Sequence, residues 1–236
     1  MITRDYNFGF NDLTLDLNGL HAALGYPESA LPEPFDSFLL SALKDASELK
    51  EFRATSLIAE SIRIDTSKGS LQAEGRTFRV GKTICNELRG AEKLLFFVCT
   101  AGKSISEKSA ELLKGEDPAK GYIYDQVGTF LAEAIGDKMQ QLLLDQLATT
   151  GERITNRYSP GYCNWDVADQ HQLFAMFPFP PSGVTLTPSA LMSPVKSISG
   201  VIGLGKEVNF RDYPCVLCNS LSCIYRKIHS GTPGRH

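Results

Sequence analysis

Between Arg153 and Gln172 the chain gathers two arginines, two tyrosines, its only tryptophan, a cysteine and a Pro-Gly pair. Pro160-Gly161 marks a turn, because proline presets φ and glycine accepts the positive φ that a type II turn needs next. Arg157, Tyr158, Tyr162 and Trp165 then surround one bend. A guanidinium forks onto carboxylates, and aromatic faces stack on rings or cations. The grouping suits a small molecule with both a carboxylate and a flat ring. A packed turn with ordinary aromatic anchors accounts for the same residue types.

A second cluster lies near the C-terminus, where Cys215, Cys218 and Cys223 are separated by two and then four residues. Thiolates so spaced can converge on one metal ion. Three still lack a fourth ligand: Cys163 or His229 could complete a zinc site, and Cys163 an iron-sulfur site. The alternative is a set of reduced thiols on a loosely ordered tail. Cys85 and Cys99 stand in apolar contexts and read as core. Residues 206–236 carry five Lys/Arg against two Asp/Glu, a net +3 on a chain of net −3, which leaves −6 for the rest. Such a tail either faces an anionic partner or is simply solvated.

Other chemistries find no support. Thr100 to Ser104 tempts a phosphate-loop reading, but a Walker A motif needs glycine where Phe97 stands. Gly203-Leu204-Gly205 is a lone GxG, and no serine or aspartate sits in a nucleophile motif. The composition, 42% hydrophobic and 22% charged, is that of a soluble globular protein. The longest apolar run, Leu94 to Cys99, is too short to cross a membrane, and the polar N-terminus does not read as a signal peptide. The expected location is cytoplasmic, with neither membrane nor nucleic acid as partner.

These residues need elements to hold them. Leu13, Leu17, Leu20 and Leu24 predict a short helix stopped by Gly25 and Pro27, and Phe35 to Glu51 an amphipathic helix with Asp36 as its N-cap. Leu57 to Val80 reads as a small antiparallel unit turning at Thr66–Ser70 and at Gly75. Lys82 to Arg89 is a short helix, and Leu94 to Cys99 a strand buried on both faces. A helix from Ser104 to Leu113 precedes a much longer one, from Pro118 to about Thr150, which should span the core. Glu133 lies on an edge of its apolar face. Ala168 to Met176 predicts a short helix, and Ser197 to Gly203 a strand whose glycines let something approach closely. The fold class is α+β: helices packed around an antiparallel sheet with one long central helix. We expect one domain over 1–205 and a basic cysteine-containing tail over 206–236.

Three of these segments together carry a family resemblance. Leu131-Ala132-Glu133-Ala134, Arg157-Tyr158-Ser159-Pro160-Gly161-Tyr162, and Leu186-Thr187 through Ser197-Ile198-Ser199-Gly200 resemble, in order and spacing, the activation (reactivation) domain of cobalamin-dependent methionine synthase. The likeness covers roughly residues 90 to 205. It implies an S-adenosylmethionine site lined by Glu133, Arg157, Pro160, Gly161 and Tyr162, with the guanidinium for the methionine carboxylate and Glu133 for its amino group. It also implies a partner carrying cobalamin, a methionine synthase chain or another corrinoid protein, and a reductant such as flavodoxin or ferredoxin. The implied task is reductive methylation of the partner's cobalamin. The chain departs from the fused domain at Cys163, where that domain has proline, at Pro188, and in its cysteine tail. Arg157-Tyr158-Ser159-Pro160-Gly161-Tyr162 followed by Trp165 and the C-terminal cysteine cluster instead resembles stand-alone relatives of the domain. Two further readings remain: an iron-sulfur module feeding electrons to a corrinoid protein, and a non-catalytic subunit that senses S-adenosylmethionine or docks a corrinoid protein.

Overall fold

The computed structural model describes residues 1–27, 30–115 and 117–211. Its centre is a five-stranded antiparallel sheet in the order β1, β2, β6, β10, β7, formed by Ile2–Phe8, Phe52–Ala59, Lys93–Thr100, Ser197–Gly205 and Arg153–Ile154. Side chains alternate along β10, but both faces of the sheet are covered. Ile198, Ile202 and Leu204 point to one core and Val201 to another. Nearly every position of β10 and β6 is therefore buried.

On one face pack α1 (Leu17–Ala23), α2 (Phe35–Glu48) and α5 (Pro118–Leu147), with α4 (Ser104–Lys114) against α5. On the other lie a three-stranded sheet of β3 (Ile62–Asp65), β4 (Ser70–Ala73) and β5 (Arg76–Phe78), together with α3 (Gly81–Glu87) and α6 (Gln170–Phe174). A small hairpin of β8 (Thr185–Leu186) and β9 (Met192–Ser193) leads into β10. The fold is mixed α+β, with the long helix α5 packed across one face of the sheet. Asp117 caps α5, accepting from the Lys120 amide at 3.0 Å, and Pro118 opens it.

Several boundaries differ from the sequence expectation. β1 is a strand where no periodicity predicted one; as an edge strand it buries only Phe8, so its pattern is faint. The long helix ends at Leu147 rather than near Thr150, and α2 ends at Glu48. Pro34, not Asp36, occupies the α2 N-cap, and Asp36 sits in the first turn. The segment resembling a phosphate loop is filled from within. Glu51 accepts from the amides of Lys103 (2.8 Å) and Ser104 (3.0 Å) and from the Ser104 hydroxyl (2.7 Å), so a carboxylate takes the anion position at the start of α4.

Candidate functional site

The site begins with a slip in register. Arg153 and Ile154 pair with Gly205 and Leu204, but farther along Tyr158 bridges Val201. Residues 155–157 thus face only 202 and 203. One extra residue in the edge segment makes a bulge, and a bulge re-aims the side chain it carries. Arg157 is that side chain, and it turns across the sheet edge onto α5.

There its Nη2 pairs with Glu133 at 3.1 Å and Asp137 at 2.8 Å. These acids belong to an i, i+4 row of α5 made by Asp125, Thr129, Glu133 and Asp137. Lys196, just before β10, meets the other end of the row, 2.7 Å from Asp125 and donating to Thr129 at 2.9 Å. Gly136 makes room for the guanidinium, because a Cβ there would run into Arg157 Nη1 and lie 2.7 Å from Ile198 Cδ1. The Arg157 side chain is 19% exposed, and its Nη1 is buried with no hydrogen-bond partner among the described residues. A buried donor without an acceptor is costly.

Burial is the main influence on Glu133 and pushes its carboxyl above the usual range; Arg157 pulls it back and Asp137 adds to the rise. Its side chain is nevertheless 37% exposed. Beneath the cluster, Cys99 of β6 is fully buried, and burial pushes its thiol up to about 12, which Arg157 opposes and Glu133 and Asp137 reinforce. That thiol is inert packing.

The Pro160-Gly161 turn forms as its sequence dictates. Tyr162 N donates to Ser159 O at 3.2 Å with Gly161 at φ 93°. A second turn follows at once, with Trp165 N donating to Tyr162 O at 2.9 Å and both central residues, Cys163 and Asn164, at positive φ. The approach expected at Gly200 is the main chain of this segment: a Cβ there would strike the Tyr158 carbonyl. Pro160 is buried, Gly161 exposed, and Tyr162 55% exposed beside them.

Two aromatic residues grouped with the site belong instead to the core. Trp165 is 1% exposed, packs edge-on against Phe78 and donates its indole N–H to Asp169 Oδ2 at 3.0 Å. Tyr158 is 7% exposed and faces the same core. For these two the packed-turn reading is correct, because a bend in an edge segment sends alternate side chains inward. Asp137 was not singled out; its signal was its place one helical turn after Glu133. Of the cysteines read as metal ligands, Cys163 is half-buried in the second turn, and Cys215, Cys218 and Cys223 lie outside the described residues. Among the described residues no three His, Cys, Asp or Glu side chains converge as a metal site, and no helix is long and apolar enough to cross a membrane.

Comparison with known proteins decides the family. A model of the vitamin B12-dependent methionine synthase activation domain matches residues 72–213, more than half of the chain. The chain belongs to this activation-domain family. The match includes Glu133, the Arg157 to Tyr162 segment and all of β10. Among solved structures, the crystal structure of the MetH reactivation domain bound to AdoHcy superposes with a TM-score of 0.62 at 12% identity, over 89% of this chain and 81% of that one. At that identity the likeness speaks for the activation-domain fold alone. No curated protein matches the chain.

Proposed function

We propose that this activation-domain chain binds S-adenosylmethionine at the junction of α5 and the Arg157 to Tyr162 turn and supports reductive methylation of a corrinoid held by a partner. The supporting observation is Arg157: a guanidinium held in place by two carboxylates, with a buried nitrogen that has no acceptor among the described residues. A methionine moiety is a zwitterion. Its carboxylate suits Arg157 Nη1, and its ammonium suits Glu133, which already lies beside that guanidinium. Pro160, Gly161 and Tyr162 would then hold the adenosine with turn backbone and an aromatic face. The AdoHcy in the similar MetH structure is in keeping with this ligand class.

A corrinoid reduced by one electron, from a donor such as flavodoxin or ferredoxin, supplies a nucleophile strong enough to take a sulfonium methyl without acid or base help. The chain's own task is to fix the sulfonium's position and keep its methyl accessible. The partner is a corrinoid-binding methionine synthase chain or a similar corrinoid protein, in the cytoplasm. Calorimetric titration with S-adenosylmethionine tests the binding. Methylation of cob(II)alamin in the presence of a reductant, read from the visible spectrum, tests the activity. Absence of binding refutes the assignment; binding without methylation would make the chain a sensing or docking subunit.

A further inference from the structure

We infer that Thr155 and Asn156 are positioning residues for Arg157, fixing the bulge so that the guanidinium is aimed at α5. Their effect on S-adenosylmethionine rests on the binding proposed above; their effect on Glu133 does not.

Continuing the register of Ile154 with Leu204, Thr155 and Gly203 should exchange two main-chain hydrogen bonds. One is made in that way, with Thr155 N donating to Gly203 O at 2.9 Å. For the other, the Gly203 amide donates to Thr155 Oγ1, also at 2.9 Å, and that hydroxyl donates onward to the Asn156 carbonyl at 2.9 Å. A side chain thus stands in for a main-chain acceptor at the point where the edge segment takes in its extra residue. Gly203 leaves the space for it, since a Cβ there would lie 3.0 Å from Thr155 Cγ2. Thr155 is fully buried, out of reach of solvent. Main-chain pairing resumes only at Tyr158, which exchanges bonds with Val201 at 3.0 and 2.8 Å.

Asn156, 5% exposed, uses both ends of its amide on one residue. Its Nδ2 donates to the Arg211 carbonyl at 2.7 Å, and its Oδ1 accepts from the Arg211 amide at 2.9 Å. Arg211 Nε in turn meets Glu87, at the end of α3, at 2.7 Å. Thr155 and Asn156 are therefore tied to β10 and, through Arg211, to α3, whereas α5 lies against the opposite face of the sheet. Of the three bulge residues, Arg157 alone crosses to α5. Glu133 and Asp137 do not account for its placement by themselves. Both carboxylates meet Nη2, while Nη1 is buried with no hydrogen-bond partner among the described residues. A side chain free to choose would turn that donor to water, so the backbone must hold it.

The test is the titration of the Glu133 carboxyl, followed by carbon-13 NMR and assigned with Glu133→Gln. In the wild type Arg157 pulls this carboxyl down, against burial and against Asp137. Arg157→Ala removes the pull, and Glu133 should then titrate at higher pH. Thr155→Val keeps the shape of the side chain without its hydroxyl and should shift Glu133 in the same direction. Thr155→Ser retains the hydroxyl and should titrate like the wild type. Asn156→Ala leaves the bonds between Thr155 and Gly203 in place and should also shift Glu133 upward, which keeps the test decisive if Thr155→Val does not fold. In calorimetric titrations Thr155→Val and Asn156→Ala should bind S-adenosylmethionine roughly tenfold more weakly, as when a charge-assisted hydrogen bond is misaligned, and Thr155→Ser should bind as the wild type does. Circular dichroism establishes folding. Wild-type titration of Glu133 in a folded Thr155→Val or a folded Asn156→Ala overturns the inference. So does a shift in Thr155→Ser as large as that in Thr155→Val, which would assign the effect to packing. If the wild type takes up no S-adenosylmethionine, the binding assignment fails while the Glu133 titration still decides the positioning.

Discussion

At the scale of single residues, Arg157 and Glu133 make opposite demands on the fold. Arg157→Ala removes the fork proposed for the ligand carboxylate, at a cost of about 2 to 3 kcal/mol, or roughly 30- to 150-fold in S-adenosylmethionine affinity. Titration calorimetry on a variant with unchanged circular dichroism would detect it. Glu133 has a folded-state pKa above its ordinary 4.5, chiefly through burial. A carboxyl raised in this way contributes stability below the unfolded pKa and loses it as pH rises through the folded one. Once ionised, the group therefore opposes folding. Glu133→Gln should match or exceed the wild type in urea resistance at pH 7.5, show a smaller advantage near pH 4.5, and bind S-adenosylmethionine more weakly throughout. A variant less stable than the wild type at pH 7.5 would mean that the pairing with Arg157 outweighs the burial.

At the scale of elements, α5 is both scaffold and wall of the site. Gly136→Ala raises helix propensity by about 1 kcal/mol, yet the new methyl collides with Arg157 and Ile198, and overpacking typically costs about 1 to 3 kcal/mol. The expected outcome is a lower melting temperature together with weaker ligand binding, since the guanidinium must move. An unchanged affinity would place the ligand away from Arg157. The start of α4 depends on Glu51. Burial alone would raise its carboxyl, but the hydrogen bonds from Ser104 and Lys103 pull it below its ordinary value. Its contribution is thus present above pH 4.5 and fades as pH falls through the lowered pKa. Glu51→Ala should lose about 1 kcal/mol at pH 7, as helix caps commonly do, and the deficit should shrink in acid. Denaturant titrations at pH 7 and pH 3.5 would measure both.

At the scale of the whole molecule, two hydrophobic cores share one sheet. Cys99 lies in one core and Cys85 in the other. Because β6 and β10 contribute side chains to both, neither core can open without disturbing the other. In increasing urea the two thiols should become reactive toward an alkylating reagent in a single transition, as expected of one cooperative unit. Separate midpoints, read by mass spectrometry of labelled peptides, would show two independently folding layers.

The sequence by itself determined the elements whose signal is local. The Pro160-Gly161 turn, the start of the long helix at Pro118 and the doubly buried strand at Leu94 to Cys99 follow from backbone chemistry and runs of apolar residues. The spacing of Glu133, Arg157 and the Pro-Gly-Tyr turn also disclosed the family that the comparison establishes. Tertiary structure decided the rest. The edge strand β1 has almost no periodic signal because it buries one residue. Trp165 and Tyr158 could have served a ligand or the core until the covered face of the sheet claimed them. Glu133, Asp137 and Arg157 meet only because a bulge turns one side chain toward a helix some twenty residues away in sequence. Such a meeting depends on the register of β10 against its neighbours, and register is a property of paired strands that no single stretch of sequence contains.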